Sequence, residues 1–355
     1  MIKDLRYAIR TLLKRPGFLA VAISTLALGI GATTAMFTVV NSVLLRPLQF
    51  PEPERLVLLE GINPRQGITR SNMSVPDLVD WQQRSQSFEQ LAGFYSGGVF
   101  IATGDETERV RSSGVSPEFF PLFRVQPLSG RAIQADDVQE GRDPIAVISY
   151  ALWQRRFGGA ADVVNRQVIL NGRTTTIVGV MPAGFNYPGD TELWVPFPLN
   201  AADEVRENRY VNVVARVKPG VSLAQAQAEL DTINQRLEQS YAISNTGWGV
   251  RVYELRERLV GELRTSLYLL FGAVALVLLI ACANVANLLL ARAAYRQKEI
   301  ALRTALGASR GRVVRQLLTE SLLLSVVSGA IGLVLSIWLI KLLIALSPPN
   351  SPRFD

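Results

Sequence analysis

The residues of this chain that could do chemistry are few, and their spacing does not suit it. Asp136 and Asp137 form an adjacent acid pair of the kind two-carboxylate hydrolysis uses, but they stand in QADDVQEGRD, a polar stretch that reads as a solvated loop. The segment GASRGR at 307–312 has glycines and basic groups that suggest phosphate binding. A P-loop, however, requires G-x-x-x-x-G-K-[ST], and the dipeptide Gly-Lys occurs nowhere in the sequence. The chain has no histidine, so a Ser-His-Asp triad cannot be completed and the commonest metal ligand is missing. Its one cysteine, Cys282, lies inside a long apolar run, which leaves the rest of the chain without a disulfide framework. No catalytic residue, cofactor site or metal site is expected, and the chain is read as a non-enzyme.

What the sequence does carry is a pattern of charge. Thirty uncharged residues separate Arg15 from Arg46, twenty-seven separate Arg264 from Arg292, and twenty separate Glu320 from Lys341. A helix needs about 20 mainly apolar residues to cross the hydrocarbon core, and all three gaps meet that length. The first gap far exceeds the h-region of a cleaved signal peptide and is read as a retained anchor. Residues 1–15 carry a net charge of +4, 292–320 carry +5, and the long segment 46–264 carries −3. Short basic segments stay in the cytoplasm, while long domains translocate largely regardless of charge. The N-terminus and the 292–320 loop are therefore expected inside, and 46–264 outside. The overall net charge of +7 reports orientation in a membrane and not nucleic-acid binding.

These spans define seven regions: an amphipathic cytoplasmic helix at 1–15, membrane helices at 16–45, 265–291 and 321–346, an external domain at 46–264, a cytoplasmic loop at 292–320, and an extracytoplasmic tail at 347–355. In the first region Ile2, Leu5, Ile9, Leu12 and Leu13 recur at three- and four-residue steps among Lys3, Arg6, Arg10 and Lys14, the pattern of a helix lying in the membrane interface. In the external domain, Leu56 to Leu59 reads as a strand. Ser74 reads as a helix cap with Pro76 and Asp77 in the first turn. PIAVISYALWQRRFGG reads as a strand, a Ser149 cap, a helix through Phe157 and a glycine stop. RQVILNGRTTTIVGV is a hairpin turning at Asn171-Gly172. RYVNVVARVKPGVSLAQAQAELDTINQRLEQSY gives a strand, a Pro219-Gly220 turn, a Ser222 cap and about five turns of helix, and WGVRVYEL a last strand. Strands and helices mix without a βαβ rhythm, so the fold class is an α-helical membrane protein with a mixed α+β domain inserted between its first and second crossings.

Within the membrane, Gly29 with Thr33 and Gly31 with Ala35 have small-xxx-small spacing, which favours close helix packing within the chain or across a dimer. Asn284 and Asn287 share a face of the second crossing and read as interhelical hydrogen-bonding groups, with a place on a substrate path as the alternative. The 292–320 loop holds more than orienting arginines. Glu299 and Arg303 make an i,i+4 pair in the favourable order, Ile300, Leu302, Ala305 and Leu306 thread apolar groups between the charges, Gly307 permits a break, and Ser309 can cap the next helix. A short helix along the membrane that offers both kinds of group to a cytoplasmic partner accounts for the whole pattern.

EIALRTALGASRGRVVRQLLTESLLL resembles the cytoplasmic segment of MacB/FtsX-type ABC transporter permeases. LLIACANVANLLLAR, VISYALWQRRFGG, LNGRTTTIVGVMPAGF and ARVKPGVSLAQAQAEL are similar to the duplicated orphan branch of that family, well known from acidobacteria, and the likeness runs from residue 1 to about 346. The resemblance implies a periplasmic domain of two lobes, a homodimer or a duplicated second permease unit, and a separate cytoplasmic ABC ATPase. It also implies mechanotransmission, in which ATP hydrolysis is relayed to the periplasmic side, in contact there with a substrate or an adaptor protein. Carried over by position, Glu299, Ile300, Arg303, Leu306, Gly307, Ala308, Ser309 and Arg310 fall in the segment that docks on the ATPase. The family has four crossings per unit, so a fourth crossing and a second unit are expected beyond residue 355. The function expected is thus the permease part of an ABC-type efflux or mechanotransmission system in a bacterial inner membrane. The alternative is an envelope regulator that switches a periplasmic partner such as a cell-wall hydrolase.

Overall fold

A computed structural model describes residues 10, 16–41, 50–103, 106–200, 205–295 and 310–346. The chain divides into two compact units, Met1–Arg46 with Glu262–Asp355, and Pro47–Gly261.

The first unit holds three helices long and apolar enough to cross a membrane. Helix α1 is Pro16–Val40, with its apolar span at Leu19–Val40. Two later helices, α7 (Leu255–Tyr295) and α8 (Arg310–Leu346), contain spans at Arg264–Ala291 and Leu318–Leu342. The shortest of the three spans, at 22 residues, is about 33 Å long at 1.5 Å per residue, enough for the hydrocarbon core. Both later helices outrun the charge gaps that predicted them. α7 begins ten residues before the expected boundary at 265, because LRERLVGELR is made mostly of strong helix formers with nothing to stop the helix. Outward-facing Leu269, Leu290 and Trp338 are exposed, as suits side chains meant for lipid. The predicted helix at 1–15, apart from Arg10, and the tail at 347–355 lie outside the described residues.

The second unit is built on one mixed sheet of eleven strands. In chain order they are β1 (Leu56–Asn63), β2 (Ile68–Ser71), β3 (Phe88–Thr103), β4 (Glu106–Val115), β5 (Ser129–Gly130), β6 (Ile145–Ile148), β7 (Gln167–Leu170), β8 (Arg173–Val180), β9 (Leu193–Pro196), β10 (Asn212–Val217) and β11 (Gly249–Glu254). Their order across the sheet is β11-β1-β10-β3-β4-β9-β6-β8-β5, with β2 beside β1, and β7 paired with both β3 and β8. The β4–β9 and β6–β8 pairs are parallel and the others antiparallel. Strand β1 runs four residues past the expected end at Leu59.

Local signals place the helices. Ser74 Oγ accepts the Asp77 amide at 3.3 Å and starts α2 (Val75–Arg84). Ser149 Oγ accepts the Leu152 amide at 3.1 Å and starts α4 (Tyr150–Phe157), which Gly158 ends in the left-handed region at φ 60°. Ser222 and Gln225 form a capping box at the head of α5 (Leu223–Ser240). Asn171 and Gly172, at φ 48° and 82°, turn the β7–β8 hairpin. Helix α3 (Phe119–Phe123) and the short α6 (Ala242–Asn245) complete the set.

Three apolar clusters flank the sheet. One lies under α2 and α5, with Trp81, Leu78 and Leu230 fully buried. A second lies under α4 and includes Ile101, Leu152 and Ile177. The third is aromatic and gathers Phe94, Phe119, Phe120, Phe123, Phe185, Tyr187 and Trp194 around α3. The sheet runs through both helix-covered ends. Strand β3 joins them: it pairs with β10 at Phe88–Phe94, with β4 at Phe94–Thr103 and with β7 at Ile101–Ala102.

Candidate functional site

The predicted packing glycines meet different neighbours. A Cβ on Gly29 would stand 3.0 Å from Leu278 Cδ1 and 3.5 Å from Ala281 Cβ, both on α7. A Cβ on Gly31 would stand 2.9 Å from the Gly332 carbonyl oxygen on α8. Nearly opposite faces of one turn of α1 thus approach the two other helices, and both approaches lie within one chain. Thr33 Oγ1 returns a hydrogen bond to the Gly29 carbonyl at 2.8 Å, which satisfies the hydroxyl inside its own helix. Ala22 and Leu26 of α1 pack against Val285 of α7 one turn further on.

Asn284 and Asn287 face outward on α7, where with Val21, Thr25, Val285 and Leu288 they line a shallow groove between α1 and α7. Two amides exposed on an apolar span are costly against hydrocarbon, so the groove is suited to a hydrogen-bonding neighbour. On α8, Glu320 is buried, as are Ser328 and Ser336. The sequence marks Glu320 only as the edge of a charge gap, and a lone acid at that edge gave no sign that it turns inward.

Arg310 is the first residue of α8. Glu299, Ile300, Arg303, Leu306, Gly307, Ala308 and Ser309 lie outside the described residues. Gly307-Ala308-Ser309-Arg310-Gly311 has the spacing of a hydrolase nucleophile elbow, but without histidine anywhere in the chain that serine has no triad to join.

In the Pro47–Gly261 unit the charged clusters hold structure together. Asp77, nearly fully buried, accepts from Arg206 Nη1 at 2.9 Å, Arg209 Nη1 at 2.8 Å and Asn245 Nδ2 at 2.9 Å. Arg206 stacks 3.7 Å above the Tyr241 ring and Arg209 3.9 Å above Trp248. Asp137, half of the sequence's acid pair, is gripped by Arg131 at 2.6 and 2.8 Å. Burial raises its proton affinity, yet the Arg131 fork and the Gln134 amide outweigh that and hold the carboxyl below its ordinary range. Arg155 likewise spans Glu108 at 2.7 Å and Glu192 at 2.5 Å. Among the described residues no group of His, Cys, Asp and Glu could hold a metal ion. These side chains fix the domain's shape.

Comparison with known proteins shows the family. Residues 19–233 match the family model described as MacB-like periplasmic core domain, and residues 271–353 match FtsX-like permease C-terminal. The chain is 28% identical over 252 residues to the pyoverdine export ATP-binding/permease protein PvdT of Pseudomonas syringae pv. tomato, a match covering 68% of this chain and 36% of that protein. It is 26% identical over 228 residues to the macrolide export ATP-binding/permease protein MacB of Neisseria meningitidis, covering 63% of this chain and 34% of the other. The chain therefore spans about a third of the length of these curated relatives. Among solved structures, the periplasmic region of MacB from Actinobacillus actinomycetemcomitans aligns with a TM-score of 0.43 at 13% identity, over 59% of this chain and 92% of that one.

Proposed function

This chain belongs to the MacB-like periplasmic core domain family and carries an FtsX-like permease part, and from that membership we propose that it relays ATP hydrolysis to the periplasmic side of a bacterial inner membrane. The observation that carries the reading is the order of its parts. An apolar helix precedes a large α+β domain, two more apolar helices follow it, and the two family matches fall across that frame. The N-terminus and residues 292–320 are cytoplasmic in this reading, and 46–264 are periplasmic.

In this reading a separate ABC ATPase supplies the ATP hydrolysis. It docks on Glu299, Ile300, Arg303, Leu306, Gly307, Ala308, Ser309 and Arg310, where charge and apolar groups alternate. A second permease unit meets this one in the membrane, and Asn284 and Asn287 give it hydrogen-bonding groups to meet. The work delivered outside is export, with a periplasmic adaptor or the substrate itself in contact with the domain.

The test is reconstitution of the chain with candidate ATPases in proteoliposomes. Arg303→Glu and Leu306→Asp are expected to abolish ATPase docking and stimulation. Unchanged stimulation in both variants would remove the coupling assignment. A stoichiometric periplasmic protein partner whose binding is indifferent to any substrate would favour the regulator reading instead.

A further inference from the structure

The segment that leads into the domain, Phe50–Arg55, is fastened by a side chain from the centre of the sheet. Arg216 of β10 is fully buried, opposite Leu56 of β1 and Gln90 of β3. Its Nε donates to the Leu122 carbonyl at 2.7 Å, its Nη2 to the Pro51 carbonyl at 3.0 Å and its Nη1 to the Glu52 carbonyl at 3.3 Å. A buried guanidinium is costly unless its donors are used, and here all three nitrogens are spent on backbone oxygens. Two of those oxygens belong to the inlet segment and the third to α3.

The surroundings over-determine the same join. Glu52 and Arg124 both adopt left-handed backbone, at φ 49° and 56°, which side chains with a Cβ rarely do, and they pair with one another at 2.5 Å. Glu52 also pairs with Arg55, and Glu89 pairs with both Arg55 and Arg124. Phe50 packs its ring 4.7 Å from Phe123 and 6.0 Å from Phe185. The outlet ends on the same parts. Leu255 is fully buried in the aromatic cluster, and Arg258 Nε reaches Glu60 of β1 at 2.7 Å.

We propose that Arg216 is a rivet: it fixes the inlet segment to the sheet and to α3, so that movement arriving along that segment reaches the domain core without a hinge at residues 50–55. The inference rests on the transmission reading given under Proposed function and names the positioning residue that such a reading requires.

Hydrogen exchange on the full chain in nanodiscs tests it. The reporters are the amides of Arg55 and Leu56, bonded to the carbonyls of Glu52 and Pro53. In the unaltered protein they are expected to exchange as slowly as the amides of β10. Exchange by fast local opening there would overturn the proposal without recourse to any variant. In Arg216→Met, and less so in Arg216→Lys, exchange at Arg55, Leu56 and Arg124 is expected to rise at least about tenfold while β6 and β8 keep their protection. An unchanged inlet, or an equal rise throughout the domain, would overturn it. No ATPase enters this measurement, so a rivet that holds while the Arg303→Glu test fails would sink the transmission reading alone.

Discussion

Gly31 on α1 and Gly332 on α8 approach so closely that a Cβ on either would stand about as near as a hydrogen-bonded atom to the other helix's backbone: 2.9 Å from the Gly332 oxygen in one direction, 3.0 Å from the Ala27 oxygen in the other. Neither position has a flexible side chain that could give way first. Gly31→Leu is therefore expected to separate the helices and cost about 1–3 kcal/mol. Thermal unfolding of the detergent-solubilised chain reads this, with Gly272→Leu, which meets nothing within 4 Å, as the control. Equal melting of the two variants would mean that the close approach contributes nothing.

The Asp77 node predicts a large effect within the Pro47–Gly261 unit. Removing this carboxylate leaves Arg209 and Arg206 without their buried acceptor, so Asp77→Ala is expected to cost about 3–5 kcal/mol. Asp136→Ala, on an exposed side chain, is expected to stay within about 0.5 kcal/mol. Urea unfolding followed by tryptophan fluorescence separates them. A small Asp77→Ala effect would mean that Asp80, which also pairs with Arg206, carries the node.

Acid should loosen the α2–α5 junction. Glu229 accepts the amides of Gln86 at 2.6 Å and Ser87 at 2.9 Å. Burial raises its proton affinity, but those hydrogen bonds and the nearby Lys218 outweigh it and hold the carboxyl below its ordinary value of 4.5. A lowered folded-state pKa means that the unfolded chain takes up the proton first. The contribution is complete above about pH 4.5 and is lost as pH falls from there through the folded value. Glu229→Gln should lower the melting temperature near neutrality and flatten its fall in acid. An unaltered acid slope would assign the loss to Glu89 or Asp137, whose carboxyls are lowered in the same direction.

Strand β11 has a guarded edge. The Gln227 amide on α5 donates to the Val250 carbonyl at 2.8 Å and accepts from the Val252 amide at 2.9 Å, occupying backbone groups that would otherwise template another strand. Gln227→Ala is expected to promote concentration-dependent self-association, read by light scattering. A monodisperse variant at high concentration would show that the edge needs no guard.

Orientation can be read with thiols. In a Cys282→Ser background, Phe100→Cys on the exposed face of β3 should react with an impermeant maleimide on intact spheroplasts, whereas Arg303→Cys should react only after lysis. The opposite pattern would invert the proposed topology.

Much of the domain is legible because its punctuation is local. Ser74, Ser149 and Ser222 each cap the helix expected of them, and Asn171-Gly172 turns the hairpin, since each acts on residues no more than three positions away. The β3–β4 pair was not legible. Strand β3 runs straight through Ser96-Gly97-Gly98, with Gly114 making room for the Tyr95 ring across the ladder. The aromatic core draws on residues 94, 119–123, 185, 187 and 194, and no periodicity announces contacts of that range. Arg216 is harder still, because an arginine in VVARV suggests a solvated face and its three acceptors lie 94 to 165 positions away. Residues 292–320 offer only a pattern of charged and apolar groups in the sequence, and 296–309, with most of the proposed docking positions, lie outside the described residues.

Strand β1 opens the inserted domain and β11 closes it, and the two lie side by side with Val57 opposite Glu254. Directly opposed antiparallel residues are only about 5 Å apart, so nearly two hundred intervening residues begin and end at almost one point. An insert with adjoining ends asks little of the helices that bear it. Adjoining ends allow the domain and the helices to diversify at different rates.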